Sequence, residues 1–264
     1  MPELPDVQVY KEYLDATSLH QRIAGVDVRR DEVLGEVSAR SLQQRLTGRA
    51  LELTRRHGKH LLVRVSDQGW LAFHFGMTAY PDYSSAKDPP EHTRVLFRFD
   101  NGFHLAYVSQ RMIGKVDWTD DPGEFITQQR LGVDALDDAL DAKRFRELIG
   151  RKRGSIKSAL MNQETIAGLG NIYTDEILFQ AGVHPRAAAS DIDPPTLTEI
   201  HRQMQRVLRS AIKARAQPER MPKGFLTPHR GADDAACPRC GKPLEKLKVS
   251  GRTAYFCPKC QTKE

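Results

Sequence analysis
No apolar run in this 264-residue chain approaches the roughly 20 residues that span a bilayer as a helix. The N-terminus carries no basic stretch leading into an apolar one, the mark of an export signal. A soluble cytoplasmic protein is therefore expected. Internal repeats and low-complexity segments are also missing. Cysteine is scarce: the chain has four, and all of them fall after Ala236. With no cysteine elsewhere and no export signal, nothing points to an oxidising compartment.

What is present begins with charge and length. The chain can hold two domains or one large one, with enough apolar content for a core. A net charge of +6 and a pI near 9.2 favour a polyanionic partner, and the distribution says more than the sum. From Arg202 to Arg230 there are eight Lys or Arg and a single acid, Glu219, whereas acids gather between Asp134 and Asp141.

The cysteines read Cys237-Pro-Arg-Cys240 and Cys257-Pro-Lys-Cys260, two C-x2-C turns separated by sixteen residues. Two thiolates from each turn can complete a tetrahedron around one structural Zn2+, and a hairpin of that length brings the turns together. The competing readings are two disulfides or four unrelated buried thiols. A zinc ribbon on a basic chain points toward nucleic acid.

Elsewhere the pattern changes twice. Pro5 suits the first turn of a helix, and Val7, Tyr10 and Leu14 follow at helical spacing. From about Ile23 to Trp118 short strands are expected, among them Leu61–Val65 and Val95–Phe99. Asn101-Gly102 between strands predicts a hairpin turn with positive φ angles, and strands at this spacing predict a sandwich or barrel. Past the acidic stretch the chain reads as helical. Leu197, Ile200, Met204, Val207, Leu208 and Ala211 mark one apolar face, and Arg202, Arg206, Arg209 and Lys213 form a cationic stripe that is either a binding face or a solvated one. Residues 216–236, with three prolines, predict a loop.

Gly168-Leu-Gly170-Asn171 reads as a glycine-rich turn entering a helix, with Asn171 as its N-cap and a short helix before it over 155–162. Exposed N–H groups at such a terminus can cradle a phosphate.

Met1-Pro2-Glu3-Leu4-Pro5-Asp6-Val7, then Ala167-Gly-Leu-Gly-Asn-Ile-Tyr173, then the four-cysteine hairpin occur in this order. Together they resemble the formamidopyrimidine-DNA glycosylase / endonuclease VIII family of base-excision enzymes, over the whole chain. The Glu-Leu-Pro opening is closer to the formamidopyrimidine branch than to the endonuclease VIII branch, which tends to read Glu-Gly-Pro.

The resemblance implies an α+β, multidomain fold. An N-terminal β-sandwich with an N-terminal helix would span 1–125, a helix-two-turns-helix domain 135–224, and a zinc-ribbon β-hairpin 232–264. It implies a DNA glycosylase and abasic-site lyase of base-excision repair, monomeric, acting on double-stranded DNA with damaged bases or abasic sites. The nucleophile would be Pro2, exposed after Met1 is removed. An α-amine has a pKa near 8 against about 10.4 for Lys, so more of it is unprotonated at neutral pH. Its attack on C1′ gives an iminium that displaces the base and acidifies the 2′ protons for β- and δ-elimination. Glu3 matches the acid/base carboxylate. Lys59 matches a hairpin lysine that contacts phosphate and assists elimination.

The DNA contacts implied are His74 and Asn171 at phosphates, Lys157 near the lesion pocket, and Arg252 at the tip of the zinc hairpin. Met77 and Arg111 match residues that fill the gap left by an extruded base, and Ile113 stands where the family has phenylalanine. Isoleucine stacks less well than a ring, and Met77 and Ile113 also fit plain core residues. Two further departures are visible. Asp6 replaces the usual glutamate. Residues 217–225 lack the Gly-Gly-Thr-Thr-Leu-Arg-Asp-Phe-like loop of the 8-oxoguanine-excising members, so that preference is not carried over. The altered loop and Ile113 also fit a non-catalytic reader of damaged or branched DNA. A zinc-ribbon module of a transcription complex would account for the cysteines but not for the start of the chain.

Overall fold
The computed structural model describes residues 1–232 and 234–262, so Asp233 and the last two residues of the expected 232–264 hairpin segment lie outside the described residues. The chain divides into two units: Met1–Pro2 with Asp6–Gln129, and Glu3–Pro5 with Arg130–Glu264.

The chain opens with α1 (Leu4–Thr17), where Pro5 occupies the first turn and its missing N–H leaves no helical bond unmade. Strands β1 (Ile23–Val28), β2 (Leu51–His57), β3 (His60–Val65), β4 (Trp70–His74), β5 (Tyr80–Ser84), β6 (Thr93–Phe99), β7 (His104–Val108) and β8 (Lys115–Thr119) follow, with helix α2 (Ala39–Leu46) after β1. They form two antiparallel four-stranded sheets, ordered β1-β6-β7-β5 and β2-β3-β4-β8. Val95, Phe97, Leu105 and Tyr107 of the first sheet and Leu61, Val63, Leu71 and Phe73 of the second share one apolar core with Val7, Leu14, Leu42 and Leu46. This is the expected sandwich. The run at 61–65 is apolar on both faces because Leu62 and Ala72, on the outer face, are covered by Phe125 of α3 (Pro122–Gln128).

At the β6–β7 turn only Gly102 has a positive φ, 83°. Asn101 works differently from expectation: its side-chain oxygen accepts from Phe103 N at 2.9 Å, an Asx turn.

In the second unit, a two-residue parallel ladder pairs β9 (Val133–Asp134) with β10 (Ile166–Ala167). Helices α4 (Ala142–Ile149), α5 (Ile156–Met161), α6 (Asn171–Ala181) and α7 (Pro194–Lys213) pack around Phe145, Ile156, Leu160, Ile177, Leu178 and the expected apolar face of α7. Asp193 caps α7 by accepting from Thr196 N at 2.6 Å, with Pro194 as its first residue. The cationic stripe beside that face is partly internal scaffolding. Arg202 is tied to Glu199, and Arg206 donates to Gln180 Oε1 at 3.0 Å while lying over the Phe225 ring.

The Pro-rich 216–236 stretch is more ordered than a loop, since Pro218 and Pro228 fall in 3-10 turns at Pro218–Arg220 and Thr227–His229. Glu176 of α6 accepts from Leu226 N at 3.1 Å and Thr227 N at 2.6 Å, and Phe225 is buried. Strands β11 (Glu245–Val249) and β12 (Arg252–Phe256) complete the unit as an antiparallel hairpin.

Candidate functional site
The first unit gathers one group of expected residues. β4 runs out through His74 into Phe75-Gly76-Met77, and β7 runs out into a loop carrying Arg111 and Ile113. These loops touch through glycine. A Cβ at Gly76 would lie 2.4 Å from Gly114 N, and one at Gly114 would lie 2.1 Å from the Tyr107 hydroxyl. That hydroxyl donates to His74 O at 2.8 Å, and Arg111 N donates to Thr78 Oγ1 at 3.4 Å. Met77 is half-buried, whereas Arg111 is exposed and Ile113 is 48% exposed. Ile113 is therefore not a core residue. An exposed branched apolar side chain beside an exposed arginine is what a wedge into a base stack requires.

Lys59 sits in the two-residue turn between β2 and β3, where Gly58 supplies the left-handed conformation (φ 55°). Behind it the His60 and His74 rings lie 4.8 Å apart. Burial first, then the neighbouring His74, His57 and Lys59, push His60 down from 6.5 to about 3. Burial and the Lys59 charge also lower His74. Both rings are neutral at physiological pH.

The second unit holds the other group, built on the N-terminus of α6. Glu3 is 1% exposed, and its carboxylate accepts from Gly170 N and Ile172 N, both at 2.8 Å, and from Tyr173 N at 3.3 Å. Leu4 N donates to Gly168 O at 3.1 Å. Both glycines exist for this approach: a Cβ on Gly170 would lie 2.4 Å from Glu3 Cδ, and one on Gly168 (φ 116°) would lie 2.6 Å from Leu4 Cδ1.

This corrects the expected phosphate cradle. The N–H groups there bind the chain's own carboxylate, as the positive end of a helix favours. The N-cap is Gly170 rather than Asn171. Asn171 is the first helical residue, and its Nδ2 donates to Thr253 O at 3.0 Å.

Lys157, expected near the lesion pocket, is fully buried and its ammonium pairs with Asp175. Burial lowers its pKa, opposed by Asp175 and Glu3, while burial raises that of Asp175, opposed by Lys157 and Arg230. In the charged pair each partner offsets part of the other's desolvation.

Arg252 begins β12 immediately after the Ser250-Gly251 turn, whose residues both have positive φ (46° and 76°), and it is exposed. Sγ atoms of Cys237 and Cys260 lie 3.8 Å apart, those of Cys240 and Cys257 3.5 Å, and all four ligand atoms lie within 4.8 Å of one another. A tetrahedral Zn2+ with Zn–S bonds of about 2.3 Å needs edges of about 3.8 Å. Disulfides do not fit these separations.

Asp175, Glu176, Arg230 and Arg239 escaped the sequence reading. Arg239, between two of the cysteines, donates to Phe179 O at 3.1 Å and Gln180 O at 3.2 Å, capping the C-terminus of α6. One signal for the acids was present: two adjacent carboxylates inside an otherwise apolar helix demand buried partners.

Comparison with known proteins gives a consistent result. Residues 1–116 match the formamidopyrimidine-DNA glycosylase N-terminal domain, 131–221 the formamidopyrimidine-DNA glycosylase H2TH domain, and 236–263 the zinc finger found in FPG and IleRS. The chain is 35% identical over 285 residues to the formamidopyrimidine-DNA glycosylase of Synechocystis sp., covering 100% of this chain and 99% of that protein. It is 31% identical over 277 residues to that of Pelotomaculum thermopropionicum, covering 99% of each. Among solved structures, the Lactococcus lactis enzyme non-covalently bound to DNA containing an abasic site superposes with a TM-score of 0.90 at 28% identity, covering 99% of this chain and 100% of that one.

Proposed function
The chain belongs to the formamidopyrimidine-DNA glycosylase family, and from that membership we propose how its own residues divide the work of excising a damaged base. It is a base-excision-repair DNA glycosylase, with the abasic-site lyase activity typical of the family. Its partner is double-stranded DNA carrying damaged bases or abasic sites, and that substrate supports a location with the nucleoid in the cytoplasm. No helix among the described residues is long and apolar enough to cross a membrane.

Pro2, freed of Met1, attacks C1′ of the damaged nucleotide through its secondary amine. The C1′–N bond to the base breaks and the base leaves with its electron pair while the attacking amine gives up its proton. Glu3 then delivers a proton to the sugar ring oxygen as the C1′–O4′ bond breaks and the proline nitrogen's lone pair closes the C1′=N iminium. The resulting iminium withdraws electrons from C2′. Loss of a 2′ proton then expels the 3′ phosphate, and a second elimination expels the 5′ phosphate. Lys59, on its tight hairpin, serves as the cation for the departing phosphates.

The observation that carries this reading is the setting of Glu3. Three backbone N–H groups fix its carboxylate, and Pro2 is its covalent neighbour, so the acid/base group cannot swing away from the amine. Met77, Arg111 and Ile113 fill the vacated stack, and Arg252 grips phosphate. The four cysteines hold one structural zinc ion, with all four positions filled by sulfur and none left for water.

Borohydride trapping on abasic-site DNA tests the assignment. A covalent adduct is expected with wild-type protein whose mass shows loss of Met1, and none with Pro2→Gly. Absence of an adduct from protein with a verified free Pro2 refutes the mechanism.

A further inference from the structure
Helix α6 and strand β12 are laced together at two points. Asn171 Nδ2 donates to Thr253 O at 3.0 Å, and one helical turn further on Asp175 Oδ2 accepts from Tyr255 N at 3.1 Å. Four helical residues advance about 6 Å and two strand residues about 6.8 Å, so both bonds form without bending either element.

Arg230 closes the other side. Its Nε donates to Asp175 Oδ2 at 3.1 Å and its guanidinium lies 4.6 Å from the Tyr255 ring centre. Lys157 takes the second oxygen of Asp175, and next to it the Ser158 hydroxyl meets that of Ser250, in the hairpin turn, at 2.7 Å. A neutral side chain would suffice to accept from Tyr255 N. A buried carboxylate is tolerated only with its charge compensated, and here both Lys157 and Arg230 pair with it.

We propose that Asp175 is a positioning residue for DNA binding: it clamps β12 against α6 and so sets the angle at which Arg252, the first residue of that strand, meets a phosphate. The inference rests on Arg252 being a phosphate contact. Asp175 touches no DNA itself. Together with Asn171 and Ser158 it converts an exposed arginine on a two-stranded hairpin into one whose strand is held at the backbone of Thr253 and Tyr255 and at the side chain of Ser250.

The test measures equilibrium binding to a duplex containing a stable abasic-site analogue, over a series of salt concentrations, for wild type, D175N, R252A and the double variant. D175N keeps an acceptor for Tyr255 N but loses both ionic partners. It is expected to weaken binding about tenfold and to flatten the log–log salt slope by about one, the signature of one lost phosphate contact. In the R252A background it should add less than about twofold, because both changes remove the same contact. Losses that multiply in the double variant, or a lowered melting temperature with an unchanged slope, refute the proposal. Should D175N fail to fold, R230Q decides alone: its guanidinium is part-exposed, and a several-fold loss that vanishes in R252A supports the clamp, while an independent loss refutes it. If R252A binds like wild type, the phosphate reading and this proposal fall together. If R252A weakens binding but D175N and R230Q act independently of it, only the proposal falls.

Discussion
Burial holds His60 neutral far below its ordinary titration, and this has a measurable consequence for stability. Its Nδ1 is buried without a hydrogen bond, and its pKa drops from 6.5 to about 3. A histidine lowered in the folded state binds its proton first in the unfolded chain, so acid favours unfolding. The contribution is absent above about pH 7, grows as pH falls through 6.5, and levels off below about 3. At pH 5 the linkage amounts to about 2 kcal/mol relative to pH 8. Thermal melts between pH 8 and 5 should show this loss, and His60→Phe should flatten that part of the curve; an unchanged pH slope in the variant refutes the assignment. The site residues differ in how far local sequence could place them. Pro2 and Glu3 carry no periodic signal and were legible only through the company of the other motifs. Lys157 was singled out only by the family resemblance, and its burial was not legible because its partner Asp175 lies 18 positions away.

At the scale of elements, amphipathic pieces were readable and buried ones were not. Helix α7 announces its apolar face at helical spacing, and all six residues expected there are buried. A sandwich or barrel could be expected from strand spacing and turn residues, although which strands pair depends on contacts between distant segments. Helix α6 resisted reading because its environment is set from elsewhere. Its N-terminus is filled by Glu3, 167 residues away, and its acids are satisfied by Lys157 of α5 and by segments that follow α7. The glycine turn therefore looked like a site for a foreign anion when it houses one from the same chain. That difference gives a sharp test. Gly170 has φ −130°, open to any residue, so a substitution there meets no backbone strain and only the collision with Glu3. Gly170→Ala should displace the carboxylate, cutting base excision by about a hundredfold or more, in the range of a lost acid/base group. It should also lower the melting temperature by leaving N–H groups at the start of α6 without their acceptor. Near-wild-type excision by this variant means that Glu3 does not act from the position it occupies.

The two units of the molecule depend on metal to different degrees. The sandwich has a continuous apolar core contributed by both sheets, α1 and α2, and needs nothing else to hold it. The ribbon has little core of its own: in the cluster around its sulfurs the two buried non-cysteine residues, Phe179 of α6 and Leu226, come from outside the hairpin, and the other two, Cys237 and Cys257, are metal ligands. A cluster this small does not offset the chain entropy of ordering the hairpin, so the ribbon's folding free energy must come largely from coordination. Zinc should also matter beyond the four sulfurs. Arg239 caps the C-terminus of α6 from inside the first cysteine turn, and Asn171 and Asp175 hold β12 along the same helix. Chelation at neutral pH is therefore expected to unfold the ribbon locally while the sandwich survives. Hydrogen exchange should accelerate at the amides of Glu245–Phe256 and toward the end of α6, with protection unchanged in β3, β4, β6 and β7. DNA affinity should fall with it, and the salt slope should flatten as Arg252 loses its fixed position. Uniform loss of protection in both units would show that the sandwich also relies on the metal. Unchanged exchange in the hairpin would show that the packing around Phe179 and Arg239 suffices without it.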